Sequence, residues 1–98
     1  MKERKWGKMK VIKRDGRTID FDRHKVEVAI QKANKEVRGK EKATKQEIDE
    51  IIEYIEELGK KRMLVEDIQD VIEEKLMEFD KYELAKKYIV YRYTRALV

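Results

Sequence analysis

The sequence predicts an α+β fold: a helical bundle with a small β-sheet packed on it, in the order ββααβαα. Two observations carry this. An Asp15-Gly16 pair sits between short runs rich in apolar β-branched residues, and after it come stretches whose apolar residues recur at helical spacing and begin or end on capping residues. A chain of 98 residues can enclose a single hydrophobic core.

The elements follow in order. Val11-Ile12-Lys13-Arg14 and Arg17-Thr18-Ile19-Asp20-Phe21 read as the arms of a β-hairpin, because Asp-Gly supplies the positive φ angles of a two-residue primed turn. Asp22 then caps a helix of about four turns, with Val26, Ile30, Ala33 and Val37 on one face and Gly39 as its stop. After the polar stretch Lys40 to Ala43, Thr44 and Glu47 form a capping box. Ile48, Ile51, Ile52, Ile55 and Leu58 make the apolar stripe of this second helix, which Gly59 ends. Arg62-Met63-Leu64-Val65 is too short to classify by period and admits a third strand in what would be an antiparallel sheet. A third helix carries Ile68, Val71, Ile72, Leu76 and Phe79. Asp80 with Glu83 marks a capped start for a fourth, with Leu84, Ala85, Tyr88, Ile89, Arg92 and Ala96 along it.

Composition narrows the chemistry. Without cysteine there is no disulfide, thiolate zinc site or cysteine nucleophile, which fits a reducing compartment. No apolar run reaches the roughly 18 residues of a membrane helix, and the basic N-terminus leads into no signal-like stretch, so a soluble cytoplasmic protein is expected. Charge is unevenly placed. Residues 1–25 hold ten Lys/Arg against four Asp/Glu, residues 26–85 eleven against seventeen, and residues 86–98 four against none. If folding brings the two basic ends together, they form a cationic site for a triphosphate or a nucleic-acid backbone; otherwise they are solvated helix surface.

Lys13, Arg14 and Arg17 bracket a turn whose backbone N–H groups can also face an anion. Lys25 lies in a first helical turn, where the dipole disfavours a cation unless an anion is near. In a two-residue hairpin, however, Lys13 and Arg14 point to opposite faces, so either a bulge breaks the alternation or one of them is structural. Helical spacing sets Tyr88, Arg92 and Arg95 on one face, and a half-buried arginine there needs a carboxylate or a ligand phosphate. His24 is the single histidine and reads as an exposed helix-start residue, with no metal site around it. The acidic runs at 47–57 and 66–74 read as solvated faces rather than acid–base machinery. Neither common glycine-rich phosphate loop occurs. Trp6, Tyr54, Tyr91 and Tyr93 fall outside the apolar stripes, as interface residues or as local packing.

Val11-Ile12-Lys13-Arg14-Asp15-Gly16, Phe21-Asp22, Lys25-Val26 and the late Ala85-Lys86-Lys87-Tyr88-Ile89-Val90-Tyr91-Arg92 together resemble the ATP-cone, from about Met9 to Val98. Residues 1–8 would then be an N-terminal extension. The resemblance implies a four-helix bundle lidded by a three-stranded sheet, with ATP or dATP and Mg²⁺ bound beneath the lid. It assigns Lys13 and Lys25 to phosphates, places Val11 and Val26 near the adenine, and brings Gln69 and Arg95 from the later helices. Arg14, Asp15 and Gly16 complete the motif, and Arg92 is a phosphate or structural contact. Val65 replaces a threonine frequent before the third helix, and Gln69 a histidine that can occur there. The implied role is allosteric regulation of a ribonucleotide reductase, most like anaerobic or archaeal types, with its catalytic core as partner and self-association as a further output. Reductase chemistry needs radical-bearing cysteines, so this chain is expected to be non-catalytic. The alternatives are the cone of a nucleotide-responsive transcriptional regulator, whose cysteine zinc ribbon is absent from this sequence, and a basic nucleic-acid-binding module.

Overall fold

The computed structural model describes residues 9–96, with side chains through Tyr93. Strands β1 (Lys10–Ile12) and β2 (Thr18–Asp20) lead into helix α1 (Arg23–Asn34), a single 3₁₀ turn (Gly39–Glu41) and helix α2 (Lys45–Glu57). Strand β3 (Arg62–Leu64) passes directly into α3 (Val65–Glu78), and α4 spans Tyr82–Ala96. The fold is the α+β arrangement of four helices and one three-stranded sheet that the sequence predicts.

The sheet order is β2-β1-β3, and it is mixed rather than antiparallel: β1 pairs antiparallel with β2 but parallel with β3. The intervening α1 and α2 supply the long crossover that a parallel pair requires. Val11 faces both Ile19 and Met63 across the ladders, and Val11 and Met63 are buried against the helices. Their neighbours Ile12 and Leu64 lie on the outer face, where Leu64 is 48% exposed.

The hairpin departs from the expected two-residue turn. Ile12 pairs with Thr18, Lys13 N–H donates to the Arg17 carbonyl at 2.8 Å, and Gly16 N–H donates to the Lys13 carbonyl at 2.9 Å. The loop is therefore Arg14-Asp15-Gly16. Gly16 alone in it takes a left-handed φ, 91°, where a primed turn would need Asp15 there as well. The one-residue change in register has a physical reason: it puts Ile19 beside Val11 on the helix-facing side, whereas the two-residue register would put Ile19 with Ile12 on the outer face.

The predicted stripes form the core. Ile30, Ile51, Ile52, Ile55, Ile72, Leu76 and Leu84 are essentially sealed from solvent, joined by Val26, Ala33, Ile48, Ile68, Ala85 and Tyr88. The Thr44–Glu47 capping box is complete, and the Asp22 carboxylate accepts from His24 N–H at 2.9 Å. Two helix ends differ from expectation. Helix α1 stops at Asn34, short of Gly39, because the Asn34 amide donates to the Ala43 carbonyl and accepts from Ala43 N–H, fastening the chain into the next loop. Asp80 is not the cap of α4. It takes a φ of 62° just past the end of α3, and Glu83 N–H in the first turn of α4 meets the Glu41 carboxylate at 3.3 Å.

Candidate functional site

Because β1 and β3 run parallel, the residues that leave their C-terminal ends come out side by side. Lys13 and Arg14 leave one strand, and Val65 and Glu66 open α3 from the other. These four, with Ile12 and Leu64, line a cleft of about 240 Å³ between the hairpin turn and the start of α3. The three-residue loop also removes the conflict between Lys13 and Arg14. Lys13 is the last paired residue and keeps the alternation of Val11, while Arg14 lies in the turn, off the strand.

Arg14 reaches α3. Its Nε lies 3.4 Å from a Glu66 carboxylate oxygen, and its Nη2 donates to Gln69 Oε1 at 3.3 Å. Asp15 is turned the other way: it accepts from the Arg17 backbone N–H at 3.0 Å and from Arg17 Nε at 2.7 Å. Those two bonds, the backbone one first, hold its carboxyl below the ordinary aspartate value. Asp15 and Gly16 thus shape the loop. Lys13 is half-buried in the cleft, and Lys25 stands exposed in the first turn of α1, outside the cleft lining. Val11 and Val26 are both buried in the core beneath the sheet.

Arg92 is held by carboxylates of α3. It donates through Nη1 to Asp70 at 3.1 Å and to Glu73, both on α3. Burial disfavours its charge, but the bonds to Glu73 and Asp70 outweigh that, and its pKa lies above the ordinary arginine value. Beneath it, burial raises the pKa of the Tyr88 phenol, and the Tyr91 ring lies 6.4 Å from that of Tyr88. The side chain of Arg95 and all of Trp6 lie outside the described residues.

Glu66 was not legible as a site residue, because in sequence it reads as one more acid on a solvated helix. The structure brings it in: β1 and β3 run parallel, so the turn after one and the helix after the other emerge together, and Arg14 meets Glu66 there. Among the described residues no group of three or more His, Cys, Asp or Glu is placed to hold a metal ion, and no helix is long and apolar enough to cross a membrane.

A hairpin and a bundle joined at one cationic cleft define a small α+β module with a basic turn set against a helix start. The chain belongs to the ATP-cone family: the ATP cone domain model matches residues 9–97. It is 34% identical over 108 aligned residues to the ribonucleoside-diphosphate reductase subunit alpha of Chlamydia muridarum, covering 99% of this chain and 10% of that protein. Two vitamin B12-dependent ribonucleoside-diphosphate reductases are also similar. That of Thermoplasma acidophilum is 37% identical over 94 residues, covering 90% of this chain and 12% of the relative; that of Mycobacterium tuberculosis is 34% identical over 87 residues, covering 89% and 12%. The chain thus spans about a tenth of the length of these relatives.

Proposed function

We propose that this domain binds ATP or dATP, as the Mg²⁺ complex, and regulates the catalytic core of a cytoplasmic ribonucleotide reductase without catalysing a reaction itself. The observation that carries the reading is the cleft at the parallel strand ends. It sets the half-buried Lys13 and the turn residue Arg14 beside α3 in a chain of the ATP-cone family. Lys13, Arg14, Lys25 and Arg95 are the cations for the phosphates, and Gln69 is a polar contact from α3. By family resemblance Val11 and Val26, both buried beneath the sheet, are assigned to the adenine end, Asp15 and Gly16 hold the loop, and Arg92 positions α3 against α4. Mg²⁺ would arrive on the phosphates, whose oxygens with water can fill most of its coordination shell.

The test is titration of the chain with ATP, dATP and GTP in Mg²⁺, followed by calorimetry and thermal unfolding. Ligand at 100 times its Kd stabilises a folded domain by about 2.7 kcal/mol, which in a domain of this size raises Tm by roughly 10–20 °C. Adenine nucleotides are expected to give this rise and GTP a much smaller one. Equal stabilisation by all three, with binding that weakens steeply in salt, would instead indicate a nonspecific polyanion surface.

A further inference from the structure

We propose that Glu66 is a built-in competitor for the phosphate cleft: its carboxylate engages Arg14, and a nucleoside triphosphate that enters must draw Arg14 from it onto a phosphate oxygen. This rests on the triphosphate reading of the cleft and adds to it a residue that sets affinity by opposing the ligand. Three observations carry it. Arg14 and Glu66 meet because β1 and β3 run parallel, so the turn after one strand and the helix after the other emerge side by side. The contact is weak enough to be displaced: 3.4 Å through Nε alone, with the side chains 41% and 53% exposed. A phosphate group offers more charge and can engage both edges of the guanidinium. Finally, the first turn of α3 carries Glu66 and Asp67 with no side-chain cap, so the positive end of the helix dipole is already met by carboxylates. Of the two, Glu66 is the one that also meets Arg14.

The hairpin tip is therefore tied to α3 through Glu66 and Gln69, and a phosphate bound in the cleft would release it from Glu66. Nucleotide affinity becomes a difference between two anions competing for one arginine. The experiment compares the 98-residue chain with Glu66→Gln and Asp67→Asn, titrating each with Mg-ATP and with inorganic tripolyphosphate, and checking each fold by thermal unfolding. Glu66→Gln is expected to bind both ligands roughly three- to tenfold more tightly, while Asp67→Asn, which removes the same charge one residue along, changes affinity much less. Unchanged or weaker binding by Glu66→Gln overturns the proposal, and so does an equal gain in Asp67→Asn, which would mean general charge rather than release of Arg14. Tight ATP binding by the parent chain with no gain in Glu66→Gln defeats this inference alone. Failure of all three proteins to bind ATP defeats the nucleotide reading and this inference with it.

Discussion

Lys13 and Lys25 show how the same residue type can sit in different physical settings. Lys13 ends β1, half-buried in the cleft, with its backbone fixed by bonds to Arg17 and Gly16. Lys25 is exposed on α1, near the positive end of that helix's dipole. A cation in a first helical turn is mildly unfavourable by itself and becomes favourable when an anion lies close. Lys13→Ala and Lys25→Ala are each expected to weaken ATP binding by about 1–3 kcal/mol, the scale of one charge-assisted hydrogen bond. Isothermal calorimetry checks this, and parent-like affinity in both variants would remove the phosphates from this end of the molecule. The residue types and motif spacing were legible in sequence. That Arg14 belongs to the turn and meets Glu66 and Gln69 was not, because the pairing depends on a strand nearly fifty residues later.

The elements are joined by a few polar ties laid over an apolar core. Glu41 caps α4 from the 3₁₀ turn, Lys81 donates to the Lys40 carbonyl, and Asn34 fastens the end of α1 to Ala43. Between α3 and α4 the tie is Arg92, whose side chain is 16% exposed and bonds to Glu73, itself 15% exposed, and to Asp70. Removing the arginine leaves Glu73 half-buried without this partner. Arg92→Met is therefore expected to lower unfolding stability by about 1.5–3 kcal/mol, and Arg92→Lys to restore part of it. Denaturant unfolding measures the loss. ATP affinity of the folded variant should fall by less than in Lys13→Ala, and the opposite order would make Arg92 a phosphate contact.

At the scale of the whole molecule, large side chains remain on the outside: Tyr93 is 68% exposed, Tyr82 54%, Leu64 48% and Tyr54 41%, the last lying under the Lys75 ammonium at 4.0 Å. Tyr91, by contrast, is half-buried and packs on the core. Exposed aromatics are enriched at interfaces, which is the physical basis for expecting self-association or docking on a reductase core. ATP and dATP differ by one hydroxyl, and a differential of about 1.4 kcal/mol between two association states shifts their ratio tenfold. Light scattering of the chain, and of a whole reductase carrying it, is expected to show different mass distributions at saturating ATP and dATP. Identical distributions would send the regulatory output by another route.

Local physics was written in the sequence. Helix faces follow from apolar spacing, and Thr44–Glu47 and Asp22 act within a few residues, so their geometry needs nothing from the rest of the chain. The hairpin showed the limit of such reasoning. Asp15-Gly16 announces a turn, but burial of Ile19 beside Val11 selects the register and lengthens the loop by one residue. Tertiary structure alone decided the parallel placement of β3, the cap that Glu41 gives α4, the partners of Arg92 and the meeting of Arg14 with Glu66. Each of these joins residues about twenty or more positions apart, and no local propensity encodes such a contact. They exist because burying the apolar faces of four helices and one sheet in a single core fixes where every strand and helix end must emerge.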